Sequence, residues 1–500
     1  MSTKKVLAVG FLFGCALLTH AAITGVNPLD TIRKAATSMA SAAADLVADP
    51  LPLQGPGLGN LTYTQAELFK PISMIKEEVD TGVGAGTGAD VPKIPGGSVT
   101  HPTAGYTKYH YGQNVGLMIN GYFLTTFTPD GGLGPGGFLL YDVSDPRNLR
   151  LVKRIYEPDG RTKELREPHS IGIASIGGKQ YVAVPSVFGV EFWDFTDIND
   201  VKQVKKLVLP NVNKGDYNNV SWQLWWQAPY LYVAAAEQGV FVIDATDPAN
   251  AVLANRGAGK PNPIPTGELG GFRVGPIFTM GNHMVLTSMT NTSGFASLDI
   301  SDPLNPKVLD TVSGSTASYY STCFDGKKVY ASAQESGGKM YGYDLSDRSR
   351  FVAEDNRLVI NQQLYCSTQD NFVFQGAQNY IHKVDVSNPL NHVEVGRGGL
   401  FATTHPDFSS SDHGQVSPFG NLIYVGNDHG SGSGFIVHAV DPDTTKPEVK
   451  QVSPMNGAKQ QALTSRIGLG MTDSIRPESV NANTFIVRPV GGNTLAGTYS

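Results

Sequence analysis

Two histidines lie beside carboxylates in segments that could supply a metal site. His169 stands in REPHSIG, two residues after Glu167, and His413 directly follows Asp412 in SDHGQV. A neutral imidazole is a common ligand for transition metals, and a neighbouring carboxylate can orient its ring. A third ligand is not evident beside them. The competing interpretation is that both histidines have a solvated structural role.

Other chemistry-bearing motifs are missing from the sequence. There is no HExxH, no paired-cysteine zinc spacing, no Gly-x-Ser-x-Gly and no phosphate loop. The oxygen-rich segments 427–434 and 441–447 lack the fixed ligand spacing of a calcium loop. We therefore predict no catalytic residue and no cofactor, with a transition metal or calcium left open.

The elements that would position these residues follow a repeat. GVFVIDATDPANAV at 239–252 ends an apolar strand in an aspartate, and weaker copies recur along the chain. The seventh copy, at 434–443, has Ala439 in the aspartate's place. A period of about 40–55 residues is typical of radial β-repeats. Six copies end the strand in an aspartate, namely Asp142, Asp194, Asp244, Asp299, Asp344 and Asp385.

Each repeat predicts four short strands. In the third repeat we expect strands at 221–226, 230–234, 240–243 and around Val252, separated by Gly- and Pro-containing turns. The predicted fold class is therefore all-β, a seven-bladed propeller with four-stranded blades. A carboxylate at a strand end accepts backbone N–H bonds from the following turn, so the repeated aspartates are interpreted as turn-forming residues and not as catalytic acids.

The strand-plus-aspartate units resemble those of the LVIVD-repeat family of bacterial exported β-propellers. GVFVIDATDPANAV and GFASLDISDPLNPKV carry the resemblance, which covers roughly residues 110–442. Two units depart from the pattern, because Asn388 replaces the second aspartate and Arg348 replaces the proline after Asp347. The resemblance implies a seven-bladed ring whose biochemical role is generally undefined.

Segments before the ring predict export and one helix. Lys4, Lys5 and the apolar run 6–18 predict a signal peptide at 1–21. Residues 22–98 are expected to hold a short helix at 27–48 and a linker, and residues 99–442 the propeller.

The last segment, 443–500, resembles the start of a bacterial Ig-like domain. It has 58 residues where such a sandwich needs about 100. We therefore expect an incomplete domain, and the chain to be the N-terminal part of a longer protein. This tail should be poorly ordered unless it docks on the propeller.

Blade seven lacks an outer strand of its own, because the chain leaves it for the tail. An unpaired edge would expose backbone donors and acceptors. We expect residues within 60–110, near Thr107–His110, to supply the strand.

Ligands of propellers usually bind in the central channel, which the first strand of each blade lines. Matching strand starts predicts one ring of residues at the channel mouth, to within a residue or two. They are Asn114, His169, Trp222, Arg273, Tyr320, Gln363 and His413.

After removal of the signal peptide, two cysteines remain, Cys323 and Cys366. They stand at nearly equivalent places in blades five and six, one blade period apart. A disulfide in an oxidising compartment and two buried thiols are both open interpretations.

Charge and composition narrow the partners. Charged residues make up 16% of the chain and the net charge is −6, so we expect no nucleic-acid partner. No membrane-spanning run follows the signal peptide. The sequence favours an exported, non-enzymatic interaction or adhesion protein, secreted or on the cell surface, that binds protein or carbohydrate. The alternative is a periplasmic or extracellular enzyme with a metal-dependent or hydrolytic site at the channel mouth.

Overall fold

A computed structural model describes most of the chain from residue 55 onwards. The predicted signal peptide and the predicted helix at 27–48 lie outside the described residues. Those described are 55–76, 78–84, 106–112, 115–129, 137–156, 168–213, 216, 218–289, 294–313, 319, 321–333, 338–360, 363–377, 380–399, 412–429, 434–441, 443–461 and 464–500.

Short strands rich in Val, Ile, Phe and Tyr, separated by turns, build the whole ring. Before blade one lie β1 (Pro71–Lys76), β2 (Glu78–Gly84) and β3 (Tyr106–Gly112). Blade one has β4 (Gly116–Ile119), β5 (Tyr122–Pro129), β6 (Gly137–Asp142) and β7 (Arg150–Tyr156). Blade two has β8 (Gly172–Ile176), β9 (Lys179–Ser186), β10 (Gly189–Asp194) and β11 (Lys202–Val208). Blade three has β12 (Gln223–Gln227), β13 (Tyr230–Ala234), β14 (Val240–Asp244) and β15 (Val252–Leu253).

The remaining blades repeat this antiparallel order. Blade four has β16 (Val274–Met280), β17 (His283–Ser288), β18 (Gly294–Asp299) and β19 (Lys307–Ser313). Blade five has β20 (Ser321–Phe324), β21 (Lys328–Ser332), β22 (Met340–Asp344) and β23 (Val352–Ala353). Blade six has β24 (Gln363–Gln369), β25 (Phe372–Ala377), β26 (Tyr380–Asp385) and β27 (Val393–Gly399). Blade seven has β28 (Asp412–Phe419), β29 (Leu422–His429) and β30 (Gly434–Ala439). The predicted seven-bladed, four-stranded architecture is confirmed.

An N-terminal strand closes the ring. β1 pairs antiparallel with β30, so the sheet order of blade seven is β1-β30-β29-β28. The prediction that residues within 60–110 supply this strand is confirmed, but the expected position near Thr107–His110 is wrong. Those residues lie in β3, which pairs with β2 and with β5 of blade one. β1 comes immediately after the segment whose backbone bonds to blade seven through Phe69 N–H and Ala439 O, and this contact places it at the open edge.

The repeated aspartates form the turns that the sequence predicts. In each of the first six blades, the strand-closing aspartate accepts a hydrogen bond from the backbone N–H two residues later, at 2.6 to 3.0 Å. The polar residue three positions after the strand-closing aspartate makes the same kind of turn bond. Asp347 Oδ1 accepts a hydrogen bond from Ser349 N, and Asn388 Oδ1 accepts one from Leu390 N, both at 3.0 Å. The two units that depart from the repeat pattern therefore keep its turn geometry.

Each of the seven boundaries between neighbouring blades has a polar or covalent link. In the core, aromatic rings pack edge to face across blades, as Phe192 does on Trp226 with centroids 5.5 Å apart. The links are Asn120 to Phe195, Ser170 to Leu224, Gln223 to Ile277, Thr287 to Thr322, Cys323 to Cys366, Ser367 to Val416, and Gln415 to Gly116.

Cys323 and Cys366 form a disulfide between the inner strands of blades five and six. Their Cα atoms are 5.5 Å apart, within the range that an unforced bridge needs. Of the two interpretations that the sequence left open, the structure shows the bridge. One blade period separates the cysteines, so equivalent positions on adjacent inner strands bring the sulfurs together.

The C-terminal segment packs on one face of the ring. It contains a two-stranded antiparallel sheet, β31 (Val449–Ser453) and β32 (Gly468–Met471). β32 approaches blade five so closely that a Cβ on Gly470 would lie 2.5 Å from Asp325 O. The tail thus docks on the propeller, and docking is the condition under which we expect it to be ordered.

Short helical turns complete the described structure. They are 3₁₀ helices at Gln65–Glu67, Pro248–Asn250, Thr266–Glu268 and Pro477–Ser479. Within the described ranges, no helix is long and apolar enough to cross a membrane.

Candidate functional site

A cavity of about 150 Å³ lies on the axis of the ring, and all seven blades contribute to it. Its walls come from the first strand of each blade or from the residues just before it. The lining residues are Gly116, Leu117, His169, Ser170, Ile171, Trp222, Gln223, Leu224, Trp225, Pro276, Phe278, Thr322, Tyr365, Cys366 and Gln415. We call this space the channel cavity.

Two of the seven residues predicted at the channel mouth, His169 and Trp222, line the channel cavity. Arg273 does not line it; its Nε lies 3.8 Å from Glu237 Oε1. Gln363 and His413 lie in β24 and β28, and their side chains are outside the described part of the structure. Asn114 and Tyr320 fall outside the described residues.

The residues one step deeper in the channel are not predicted from the sequence. Tyr365 and Gln415 line the cavity and come two residues after the predicted Gln363 and His413. The pairing register shifts in three of the inner strands, between Gln363 and Tyr365, between His413 and Val416, and in blade four between Val274 and Ile277. A bulge changes which residues face the axis.

Aromatic rings stack on one side of the channel cavity. The His169 ring lies on Trp222 with centroids 3.9 Å apart and planes 12° from parallel. Tyr365 lies nearly parallel to His169 at 6.3 Å. The stack brings blades two, three and six together and leaves His169 only 8% exposed. Because the His413 side chain is not described, a metal shared by His169 and His413 remains a prediction.

Amide and hydroxyl groups complete the lining. Gln223 Oε1 accepts a hydrogen bond from Ile277 N at 2.9 Å, and Gln415 Oε1 accepts from Gly116 N at 3.2 Å. Thr322 Oγ1 lies 2.9 Å from Thr287 Oγ1. These bonds fix the polar side chains before any ligand arrives, which is the preorganisation that a binding site needs.

The C-terminal segment covers the end of the channel at which the inner strands finish. A second cavity, of about 200 Å³, separates the ring from this cover. Trp225 lines both cavities, Phe324 lies on the ring side, and Leu469 and Met471 lie on the tail side.

Ion pairs and hydrogen bonds hold the cover in place. Lys450 Nζ contacts Asp325 Oδ2 at 2.5 Å, with that carboxylate only 2% exposed. Arg348 Nη1 donates to Ser453 Oγ at 2.9 Å, and Arg348 Nη2 donates to Val452 O at 3.2 Å.

Three carboxylates meet where the tail leaves the ring. Asp370, Asp443 and Asp473 have ligand atoms within 4.8 Å of one another, the one such group of potential metal ligands among the described residues. Burial, together with the charges of the other two carboxylates, raises the pKa of Asp473. Asp443 belongs to the oxygen-rich segment 441–447, for which the sequence analysis left calcium open.

Two family models match the chain. The LVIVD repeat model matches residues 221–256, and the bacterial Ig-like domain model matches residues 443–500. No curated protein matches the chain.

Solved structures with a similar arrangement share little sequence with this chain. The computationally designed Ika8 protein has a TM-score of 0.40 at 11% identity, over 66% of this chain and 97% of its own. A hypothetical selenium-binding protein from Sulfolobus tokodaii has a TM-score of 0.48 at 11% identity, over 61% and 81%. The β-propeller domain of Cps50 (Swd1) from Myceliophteria thermophila has a TM-score of 0.44 at 11% identity, over 64% and 92%. The strand topology and the two family models show a seven-bladed β-propeller that carries an LVIVD repeat in blade three and a bacterial Ig-like domain at 443–500.

Proposed function

We propose that this protein is exported and acts as a non-enzymatic binding or adhesion protein, at the cell surface or in the medium, for a protein or carbohydrate. The channel cavity carries the binding part of this proposal. Aromatic and aliphatic walls with a few fixed polar groups are typical of small-ligand sites. Here the walls include Trp225, Phe278 and Tyr365, and the polar groups include Gln223 and Gln415.

The disulfide supports export. Structural disulfides persist in oxidising compartments and are rare in the reducing cytosol. Cys323 and Cys366 are bridged across a blade boundary, and the sequence begins with a signal-peptide pattern. LVIVD repeats and bacterial Ig-like domains are extracellular-type modules, which agrees with this location.

Fractionation of bacteria that express the full chain tests export. We expect the protein outside the cytoplasm, with a new N-terminus at residue 22 and no free thiol on Cys323 or Cys366. A Leu17→Arg variant, which breaks the apolar run of the signal peptide, is the control and should stay in the cytoplasm at full length. Full-length, reduced wild-type protein in the cytoplasm would refute export.

Adhesion is tested with fluorescently labelled, purified full chain on intact bacterial cells. We expect saturable labelling that excess unlabelled protein removes; labelling that does not saturate would refute a specific surface interaction. Metal analysis of the same preparation tests the non-enzymatic part. A stoichiometric transition metal that a His169→Ala/His413→Ala variant loses would overturn it in favour of a metal-dependent site.

A further inference from the structure

Two glutamine side chains in the channel cavity have their orientation set by the backbone. An N–H group needs an acceptor, and the acceptor of a primary amide is its oxygen, so the bonds from Ile277 N and Gly116 N assign Oε1 of Gln223 and of Gln415. The Nε2 group is therefore the other end of each amide. Among the described residues, neither Nε2 donates a hydrogen bond to protein. Each glutamine thus leaves two N–H donors for a ligand.

These donors come from nearly opposite sides of the channel. Gln223 belongs to blade three and Gln415 to blade seven, and three of the seven blade steps around the ring are almost half a turn. Both residues line the same cavity. A ligand that uses both must present hydrogen-bond acceptors on two opposite edges.

The other residues that line the channel cavity favour a ligand that is an uncharged six-membered ring. The cavity residues that the structure describes include no Asp, Glu, Lys or Arg, and burying an unpaired charge is costly. A volume of about 150 Å³ holds one six-membered ring. Trp225, Phe278 and Tyr365 offer ring surfaces against which the C–H groups of a ligand can pack.

We propose that the channel cavity binds one neutral pyranose unit, either a free monosaccharide or the terminal unit of a glycan. Hydroxyl oxygens on two edges of the sugar accept hydrogen bonds from Gln223 Nε2 and Gln415 Nε2. One C–H face of the sugar packs on the aromatic wall. This inference rests on the proposed binding function and narrows its ligand to carbohydrate.

Tryptophan fluorescence of the purified full chain tests the proposal, because Trp222 and Trp225 line the cavity. The titrants are glucose, galactose, mannose and N-acetylglucosamine, with glucuronate and glucosamine as charged rings of the same size. We expect a saturable change with at least one neutral sugar and binding at least about ten-fold weaker for both charged rings. Maltose and diacetylchitobiose distinguish the source: a change with disaccharides alone assigns the terminal unit of a glycan.

Glutamate variants isolate the donors. Gln223→Glu and Gln415→Glu keep a carboxylate oxygen to accept the backbone N–H bond but remove the Nε2 donors. We expect each to weaken binding about ten-fold and the double variant about a hundred-fold. Gln203→Glu, on the outer strand of blade two, adds the same charge away from the cavity and should leave the affinity unchanged. Gln223→Met and Gln415→Met remove the donors together with the Oε1 acceptor but add no charge, which covers the case in which the added charge of the glutamates disturbs folding.

Two results would overturn the proposal. One is the absence of binding by any neutral pyranose, free or at a glycan end. The other is wild-type affinity in the folded glutamate or methionine variants. Cell labelling without pyranose binding would refute this inference alone, whereas loss of both would also refute the proposed binding function.

Discussion

Removal of the disulfide between blades five and six should lower the stability of the ring by a predictable amount. The bond closes a loop of 43 residues between inner strands. In the chain-entropy model a loop of that length restricts the unfolded chain by about 4 kcal/mol. Cys323→Ala/Cys366→Ala removes the cross-link and leaves small apolar side chains in a buried boundary. Over the roughly 360 residues that the structure describes, the unfolding entropy converts this loss to a decrease in Tm of about 5 °C.

The assay is thermal and urea unfolding of oxidised wild type, reduced wild type and the double variant. Reduced wild type and the double variant should have the same lowered unfolding midpoint. Addition of reductant should not change the midpoint of the variant. Thiol titration of denatured, unreduced wild type should find no free thiol. Two free thiols per chain, or equal midpoints for oxidised wild type and variant, would refute the reasoning.

Three further predictions concern buried histidines, turns and the tail. Burial lowers the pKa of His283 and of His438 to about 3. Below about pH 6.5 the unfolded chain therefore binds protons that the folded chain does not. As the pH falls, the free energy of unfolding should decrease by about 1.4 kcal/mol per pH unit for each histidine. His438→Leu should remove one histidine's share, about 1.4 kcal/mol per pH unit, from the slope measured by urea unfolding between pH 5.5 and 4.5; an unchanged slope would contradict the assignment. Asp299→Ala should cost about 1 kcal/mol because two bonds from Ser301 are lost, whereas Asp299→Asn keeps an acceptor and should be near neutral in the same assay. Arg348→Ala removes the bonds to Ser453 and Val452, so limited proteolysis should release the tail faster than in an Arg350→Ala control; equal rates would show that Arg348 does not hold it.

The blade architecture could be predicted because it depends on local pattern. Strand residues alternate or run apolar over four to eight positions, and the aspartate that ends each strand bonds to a backbone N–H only two residues away. Such interactions lie within a few residues of one another, so the sequence of one unit is enough to infer them. The turns at Asp347 and Asn388 follow the same local rule despite their departures from the repeat.

The set of seven residues predicted at the channel mouth was only partly correct, and the reason is geometric. His169 and Trp222 were found because strand starts align across blades, whereas the bulge after Val274 displaces the channel-facing residues of blade four by a step that no local pattern reveals. Gln223 and Gln415 carry no motif. Their importance comes from backbone amides of the next blade, more than 50 residues away for Gln223 and almost 300 for Gln415.

The sequence by itself determined the number of blades, the position of the turns and the equivalence of Cys323 and Cys366, since these follow from periodicity. Only the tertiary structure decided which strand closes blade seven, whether the cysteines bond and where the tail sits. β1 was not distinguished from β3 because both are short, extended segments that can pair with an open edge. Which of the two strands pairs with blade seven depends on where the open edge of that blade lies in the folded ring. Backbone hydrogen bonds between strands recognise geometry and not side-chain identity, so the final pairing belongs to the folded ring.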